Sequence, residues 1–114
     1  MNALRNKVLL IGNLGGVPEI KTTEGGKKLA KFSMATNETY KNNQGEKVTD
    51  TQWHNLVAWE RVADLAERFL EKGSEVVVEG RLVNRNYLDK DGVRKSSTEI
   101  HVSEMLLIGK RAVV

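Results

Sequence analysis

Five stretches of the chain read as strands, most of them alternating apolar and polar residues with the two-residue period of a half-buried strand, and one repeats with the period of a helix. Residues 7–11 are apolar and β-branched. Residues 29–38 put Ala30, Phe32, Met34 and Thr36 on one side and Lys31, Ser33 and Ala35 on the other. Residues 51–60 put His54, Leu56 and Ala58 opposite Trp53, Asn55, Val57 and Trp59. Residues 74–87 oppose Val76, Val78, Gly80 and Leu82 to Glu79, Arg81, Val83, Arg85 and Tyr87. A Gly inside such a strand marks a bend or bulge of the kind a barrel corner needs. The turn signal Asp89-Lys90-Asp91-Gly92 leads into residues 94–108, where Thr98, Ile100 and Val102 alternate.

The helical segment is Val62, Leu65, Ala66, Phe69 and Leu70, spaced i, i+3, i+4, i+7, i+8, with Asp64, Glu67, Arg68 and Glu71 opposite. Gly73 is the expected left-handed stop. Polar, Gly-containing stretches at 12–16, 22–28, 41–50 and 88–95 read as loops. The order is three strands, a helix and two strands. A chain of 114 residues has room for one core, so residues 1–114 read as one domain. Closing the sheet is the economical way to hide its edges. The predicted fold is mainly β: a five-stranded Greek-key barrel of the OB-fold arrangement, its α-helix between strands three and four.

Composition narrows the function. The chain is 39% hydrophobic and 29% charged, as a globular domain is, and has no apolar run near the ~20 residues of a membrane span. Without Cys there is no disulfide framework, thiolate zinc site or cysteine nucleophile. No GxSxG, HExxH or GxxxxGK[ST] motif occurs. No enzyme, metal or cofactor is therefore expected. His54 shares its side with Leu56 and Ala58 and reads as a packed structural residue. His101 lies with Glu99 and Ser103 on a polar side.

The formal charge of +3 is too mild to prove a polyanion partner. The aromatics say more, being only two Trp, two Tyr and two Phe. Phe32 and Phe69 fall on the inward strand side and the helix stripe, where a core should have them. Tyr40, Trp53, Trp59 and Tyr87 fall at strand ends or outward positions among Lys41, Arg81 and Arg85. A single Trp is more often core than surface. Four aromatics interleaved with cations instead make a stacking platform for bases, at about 1–3 kcal/mol per base and with little sequence preference.

At this point the residues match a known pattern. The chain resembles the bacterial single-stranded DNA-binding proteins. The matching pieces are Asn6-Lys7-Val8, Leu10-Ile11-Gly12-Asn13-Leu14-Gly15, Pro18-Glu19-Ile20-Lys21, Phe32-Ser33-Met34-Ala35-Thr36 and Thr51-Gln52-Trp53-His54. Leu70-Glu71-Lys72-Gly73-Ser74 and Val76-Val77-Val78-Glu79-Gly80-Arg81-Leu82 complete the set. No single piece is decisive, but the ordered series is specific and spans nearly the whole chain.

The resemblance implies a cytoplasmic, nucleoid-associated homotetramer that wraps single-stranded DNA in replication, recombination and repair. Trp53 matches a stacking Trp, Tyr40 and Tyr87 stand where Trp is frequent, and Trp59 stands where Phe stacks. Lys7, Lys21, Lys72 and Arg85 match phosphate-contacting positions, to which the outward Arg81 is added. His54 matches a subunit-contact residue. Val17 replaces a frequent Asp and Asn55 a frequent Arg. Family members usually continue into a Gly/Pro/Gln-rich linker and an acidic tip that recruits replication and repair proteins. This chain stops at Arg111-Ala112-Val113-Val114, so such recruitment is expected only if a tail exists outside it. The alternative within the same fold is a tail-less primosomal-type adaptor, dimeric and chiefly protein-binding. Single-stranded RNA is a further candidate ligand, because stacking does not test for a 2′-OH. Surplus apolar residues in Val8-Leu9-Leu10-Ile11 independently suggest subunit packing.

Overall fold

The structure, a computed structural model, describes residues 3–109; the chain end at 110–114 lies outside the described residues. A 3-10 turn, Ala3–Arg5, precedes strands β1 (Val8–Leu14), β2 (Glu19–Thr22), β3 (Lys28–Lys41) and β4 (Lys47–Trp59). Helix α1 (Arg61–Phe69) follows, then β5 (Glu75–Leu88) and β6 (Arg94–Gly109).

Five strands close into a barrel in the order β1–β5–β6–β4–β3, and the ring returns to β1 through Asn13↔Ala35 and Leu14↔Met34. Neighbours are antiparallel except β4 and β6, which run parallel at Leu56↔Ile100, Val57↔His101 and Ala58↔Val102. The expected five-stranded barrel is thus present. The short β2, which the alternation does not reveal, is added at the β3 edge after Pro18. The expected alternation fills the inside with Ala30, Phe32, Met34, Leu56, Ala58, Val76, Val78, Ile100 and Val102, all buried.

Closure depends on two glycines at close approaches. A Cβ on Gly12 would collide with the carbonyl oxygen of Ala35, and one on Gly80 with that of His101. The ladder between β5 and β6 shifts register at Glu79/Gly80, leaving Ser103 without an opposite residue. The Ser103 hydroxyl donates to the Glu79 carbonyl at 3.0 Å. This shift changes which β6 side chains face inward, from Ile100 and Val102 to Met105 and Leu107. The bend expected at Gly80 is therefore a barrel corner.

Several expectations need correction. Strand β1 runs through Leu14, beyond the expected loop start at Gly12. Strands β3 and β4 stay paired out to Lys41↔Lys47, so the expected 41–50 loop shrinks to the turn at 42–46. Polar side chains on both faces give this ribbon no hydrophobic period, and its backbone ladder needs none. Leu82 keeps the inward phase of β5 but is exposed, because the strand has by then outrun the barrel. Its backbone N–H and C=O are held by the Asn6 side chain at 2.9 and 3.0 Å.

The helix sits in a different rotation from the one its apolar spacing predicts. Val62, Ala63, Ala66 and Leu70 are buried, Leu65 is half-buried, and Phe69 is 57% exposed. The closest approach to the barrel is made by alanines, Ala63 and Ala66 meeting a core that includes Ala30 and Ala58. Small residues let the helix lie close, and that pushes the bulky Phe69 to the margin. The helix also ends earlier than Gly73. Leu70 is its extended cap, and Gly73 (φ 88°) belongs to the following turn, where Ser74 N–H donates to the Glu71 carbonyl.

Candidate nucleic-acid interface

Directly opposed residues on paired strands share a face, so the register alone lays out the barrel's outer surface. One row runs Glu19 (β2), Lys31 (β3), Val57 (β4), His101 (β6), Arg81 (β5). A second runs Lys21, Leu29, Trp59, and a third joins Ala35 to Trp53. On β5, Arg85 and Tyr87 continue in the phase of Arg81, opposite Ser97 and Lys95.

Two adjoining hollows of about 350 and 390 Å³ lie in this surface and share Lys31, Val57 and Glu99. Trp59, Arg85 and His101 line one; Ser33, Asn55 and Val17 line the other. Together they form one trough across the sheet. Val57 is buried at its floor although it points outward.

The two tryptophans are held differently. Trp53 is 62% exposed and its ring edge lies over Gly15, where an added Cβ would stand 2.6 Å from Cζ3 and 2.9 Å from Ser33 Oγ. Gly15 itself is fixed by its N–H donating to the Ser33 carbonyl at 3.0 Å. One side of the indole is thus floored and the rest is open to solvent. Trp59 is half-buried, with its ring 6.4 Å from that of His101 at 44°. His101 Nε2 lies 3.2 Å from Glu99 Oε1, and Arg85 Nη1 lies 3.7 Å from Glu99 Oε2. Glu99 has a side chain only 13% exposed and holds both neighbours beside Trp59.

The face therefore assembles Trp53, Trp59, Tyr87, Lys21, Arg81 and Arg85. It leaves out three of the residues expected with them. Tyr40, opposite Val48, keeps the inner phase of Phe32 and Met34 along β3, so it lies on the other face of the ribbon from Trp53. The shared outward setting expected of all four aromatics holds for three. Lys72 lies in the turn after α1 and makes no ion pair among the described residues. Lys7 lies just before β1, 3.0 Å from Glu79. Lys21 and Glu19 are 3.3 Å apart. His54 is half-buried in the barrel phase, with Nε2 3.0 Å from the Thr36 hydroxyl.

The aromatics and their alternation do not lead to Lys31, Glu99, His101 or Gly15. Lys31 and His101 already carried a signal, an outward phase in strands flanking the Trp strand. Gly15 had none, because its meeting with a ring on a strand far along the chain is a tertiary fact.

A second outer patch lies on β1, β5 and β6. Leu9 and Ile11 are 61% and 56% exposed, and Ile11 is opposite Val77, itself opposite Leu106, which is also exposed. Strand β1 pairs with β3 only at Asn13 and Leu14, so its other edge is unpaired from Val8 to Gly12 among the described residues.

A small closed barrel whose outer sheet carries aromatics among cations is the OB-fold class of nucleic-acid-binding domain. The model of the single-strand binding protein family matches residues 5–108, and the chain belongs to that family. It is 40% identical over 106 residues to the single-stranded DNA-binding protein of Neisseria meningitidis serogroup A, covering 93% of this chain and 61% of that protein. It is 41% identical over 107 residues to single-stranded DNA-binding protein 1 of Xylella fastidiosa, covering 93% and 79%. The Plasmodium falciparum SSB in complex with ssDNA superposes with a TM-score of 0.83 at 37% identity, over 90% of this chain and 94% of that one. The chain thus spans about three-fifths of the Neisseria relative's length.

Proposed function

We propose that this chain is a non-catalytic, sequence-independent binder of single-stranded DNA that protects strands exposed in replication, recombination and repair. Bases stack on Trp53, Trp59 and Tyr87, while Lys21, Lys31, Arg81 and Arg85 follow the phosphates along the trough. The observation that carries this reading is the shared face. Two cross-strand rows put Trp59 and Lys21 in one line across Leu29 and place Lys31 and Arg81 one row away, with the open Trp53 ring further along β4. Tyr40, Lys7 and Lys72 contribute from outside the trough, where a strand wrapped around the barrel meets them. The names of the relatives, and the single strand bound by the Plasmodium neighbour, support the same ligand class. The place of action is the bacterial cytoplasm, at the nucleoid.

Self-association belongs to the same proposal. The unpaired β1 edge and the apolar Leu9, Ile11, Val77 and Leu106 are the surface that a second copy covers, and the resemblance supplies the homotetramer with His54 at a subunit contact.

The test is a titration with oligo-dT at several salt concentrations, following Trp fluorescence. Quenching with an affinity that falls linearly on a log–log salt plot is expected. No quenching at low salt overturns the reading. Sedimentation of the free protein separates the tetramer from a dimer or monomer.

A further inference from the structure

Helix α1 has three distinct sides. One is buried under Val62, Ala63 and Ala66. A second is acidic: Asp64 and Glu67 both hold Lys28, Asp64 Oδ1 lying 2.6 Å from its Nζ. Hydrogen bonds to these two carboxylates raise the Lys28 pKa above its ordinary value. The third side carries Arg61, Leu65, Arg68 and Phe69, spaced i, i+4, i+7 and i+8 on one stripe.

That third side is built like the trough and not like a core. Its aromatic is 57% exposed, with apolar Leu65 half-buried beside it. Arg68 has no ion pair among the described residues. Arg61 reaches only Glu104, at 3.5 Å with both side chains about two-thirds exposed, a weak surface contact. Of the helix's acids, Glu67 lies away from the stripe and Asp64 borders it, and Lys28 holds both, offsetting one of their two charges.

Its position also continues the trough. Arg61 follows Trp59 by two residues, so the stripe begins where the second stacking residue stands. Its far end returns toward the first: beyond Phe69, Gly73 N–H donates to the Leu14 carbonyl and Asn13 Nδ2 to the Gly73 carbonyl, next to the Gly15 floor of Trp53. The nine-residue helix spans about 13 Å between these points.

We propose that the Arg61–Phe69 stripe is a second segment of the single-strand track, on which Phe69 stacks a base and Arg61 and Arg68 meet phosphates of a strand leaving Trp59. The occupant is a polyanion with flat faces, because the stripe pairs an open ring with cations and has no acidic member. The proposal rests on the trough being the primary site, so its test separates the two.

Wild type, Phe69→Ala and Arg61→Ala/Arg68→Ala are titrated with oligo-dT of about 6 and about 16 nucleotides, the first filling the trough and the second reaching past it. The three proteins should bind the short oligomer alike. Phe69→Ala should bind the long one about fivefold or more weakly. The double variant should lower the salt slope for the long oligomer by about 0.7, the contribution of Arg68, because Arg61 leaves Glu104 behind when it meets a phosphate. Phe69→Trp in a Trp53→Phe/Trp59→Phe background gives a sole reporter on the stripe, which the long oligomer should quench and the short one should not. Equal long-oligomer affinity in all three proteins, or an unquenched reporter, overturns the helix track while the short-oligomer result leaves the trough intact. Failure of the wild type to bind either oligomer removes the trough and the track with it. A Phe69→Ala variant that changes only the sedimentation of the free protein marks the stripe as a subunit contact and also overturns the track.

Discussion

Gly15 offers the sharpest test of how the trough is built. An alanine there would put its Cβ 2.6 Å from Trp53 Cζ3 and 3.1 Å from Cη2, both inside van der Waals contact. The backbone at Gly15 is outside the left-handed region, so alanine costs nothing in φ. The clash is therefore with side chains alone, and Trp53 is exposed and free to swing away. The fold should keep its stability to within about 0.5 kcal/mol, as surface changes do. The indole loses its floor and its pose, so base stacking on it weakens.

The ceiling on the loss is the whole stacking contribution of Trp53, about 1–3 kcal/mol. A displaced ring retains part of that, so about 1 kcal/mol is expected, near fivefold in Kd. No phosphate contact changes, and the salt slope should match wild type. The decisive comparison is a double-mutant cycle read by oligo-dT titration. In a Trp53→Ala background, Gly15→Ala should do little further, within about 0.5 kcal/mol, because the ring is its main route to the ligand and the Ser33 hydroxyl, 2.9 Å away, is a short side chain that can rotate aside. Additive losses would refute the reasoning, as would a Gly15→Ala protein that binds like wild type.

The other close-approach and backbone features predict effects on stability. Gly80→Ala meets the His101 carbonyl, which cannot yield, and should destabilise by about 2–3 kcal/mol in urea titrations; an unchanged midpoint refutes the closure argument. Glu60, the residue before α1, has φ 53° and ψ −115°, a region that costs a side-chain-bearing residue about 1–3 kcal/mol. Glu60→Gly should raise stability by about 1 kcal/mol after the added unfolded-state entropy, and so raise Tm; a lower Tm counts against it. At the β5–β6 turn, Asp89 Oδ1 accepts from the N–H groups of Val93 and Asp91 at 2.8 and 2.9 Å. The Val93 bond above all, with those from Asp91 and Lys95, lowers the Asp89 pKa below its ordinary carboxylate value. This stabilisation is present above the ordinary carboxylate pKa and is lost as pH falls through the lowered one. Hydrogen exchange at Val93 should quicken only in that acid window, and the window should vanish in Asp89→Asn.

The inner face of the barrel could be read from alternation, because within each strand the members of the pairs Phe32 and Met34, Leu56 and Ala58, and Val76 and Val78 stand two residues apart. What escaped had physical reasons. A period of 3.6 identifies an amphipathic helix but cannot choose between neighbouring rotations when both are apolar. The choice fell to how closely α1 could approach the barrel, which favoured Ala63 over Phe69. Tyr40 stands at a strand end just past the apolar alternation of residues 29–38, where no hydrophobic period marks its face; counted in phase from Phe32, it belongs to the face away from Trp53. Leu82 had the right phase but stands where the barrel no longer reaches. The floor under Trp53, and the meeting of Trp59 and Arg85 with the Glu99–His101 pair of β6, come from contacts between different strands, which no local period encodes.

Electrostatics in the trough follow from its ion pairs more than from the net charge of +3. Of the cations offered to phosphates, Lys7, Lys21 and Arg85 already face Glu79, Glu19 and Glu99, at 3.0, 3.3 and 3.7 Å. Such exposed pairs are weak and exchange readily. A cation that trades a carboxylate for a phosphate still releases a counterion from DNA, but the abandoned carboxylate takes one up from solution. Its net contribution to the salt dependence is near zero. Lys31, Arg81 and Lys72 have no such partner among the described residues and release counterions outright. The slope of log K against log salt should therefore lie near −2, from about 0.7 per unpaired cation, and not near the −4 that all six cations would give. Replacing Glu19 and Glu79 by Gln should steepen it by about 1.4, because two cations then bind without leaving a carboxylate behind. A wild-type slope near −4 that these replacements leave unchanged would show that the pairs are not held in solution.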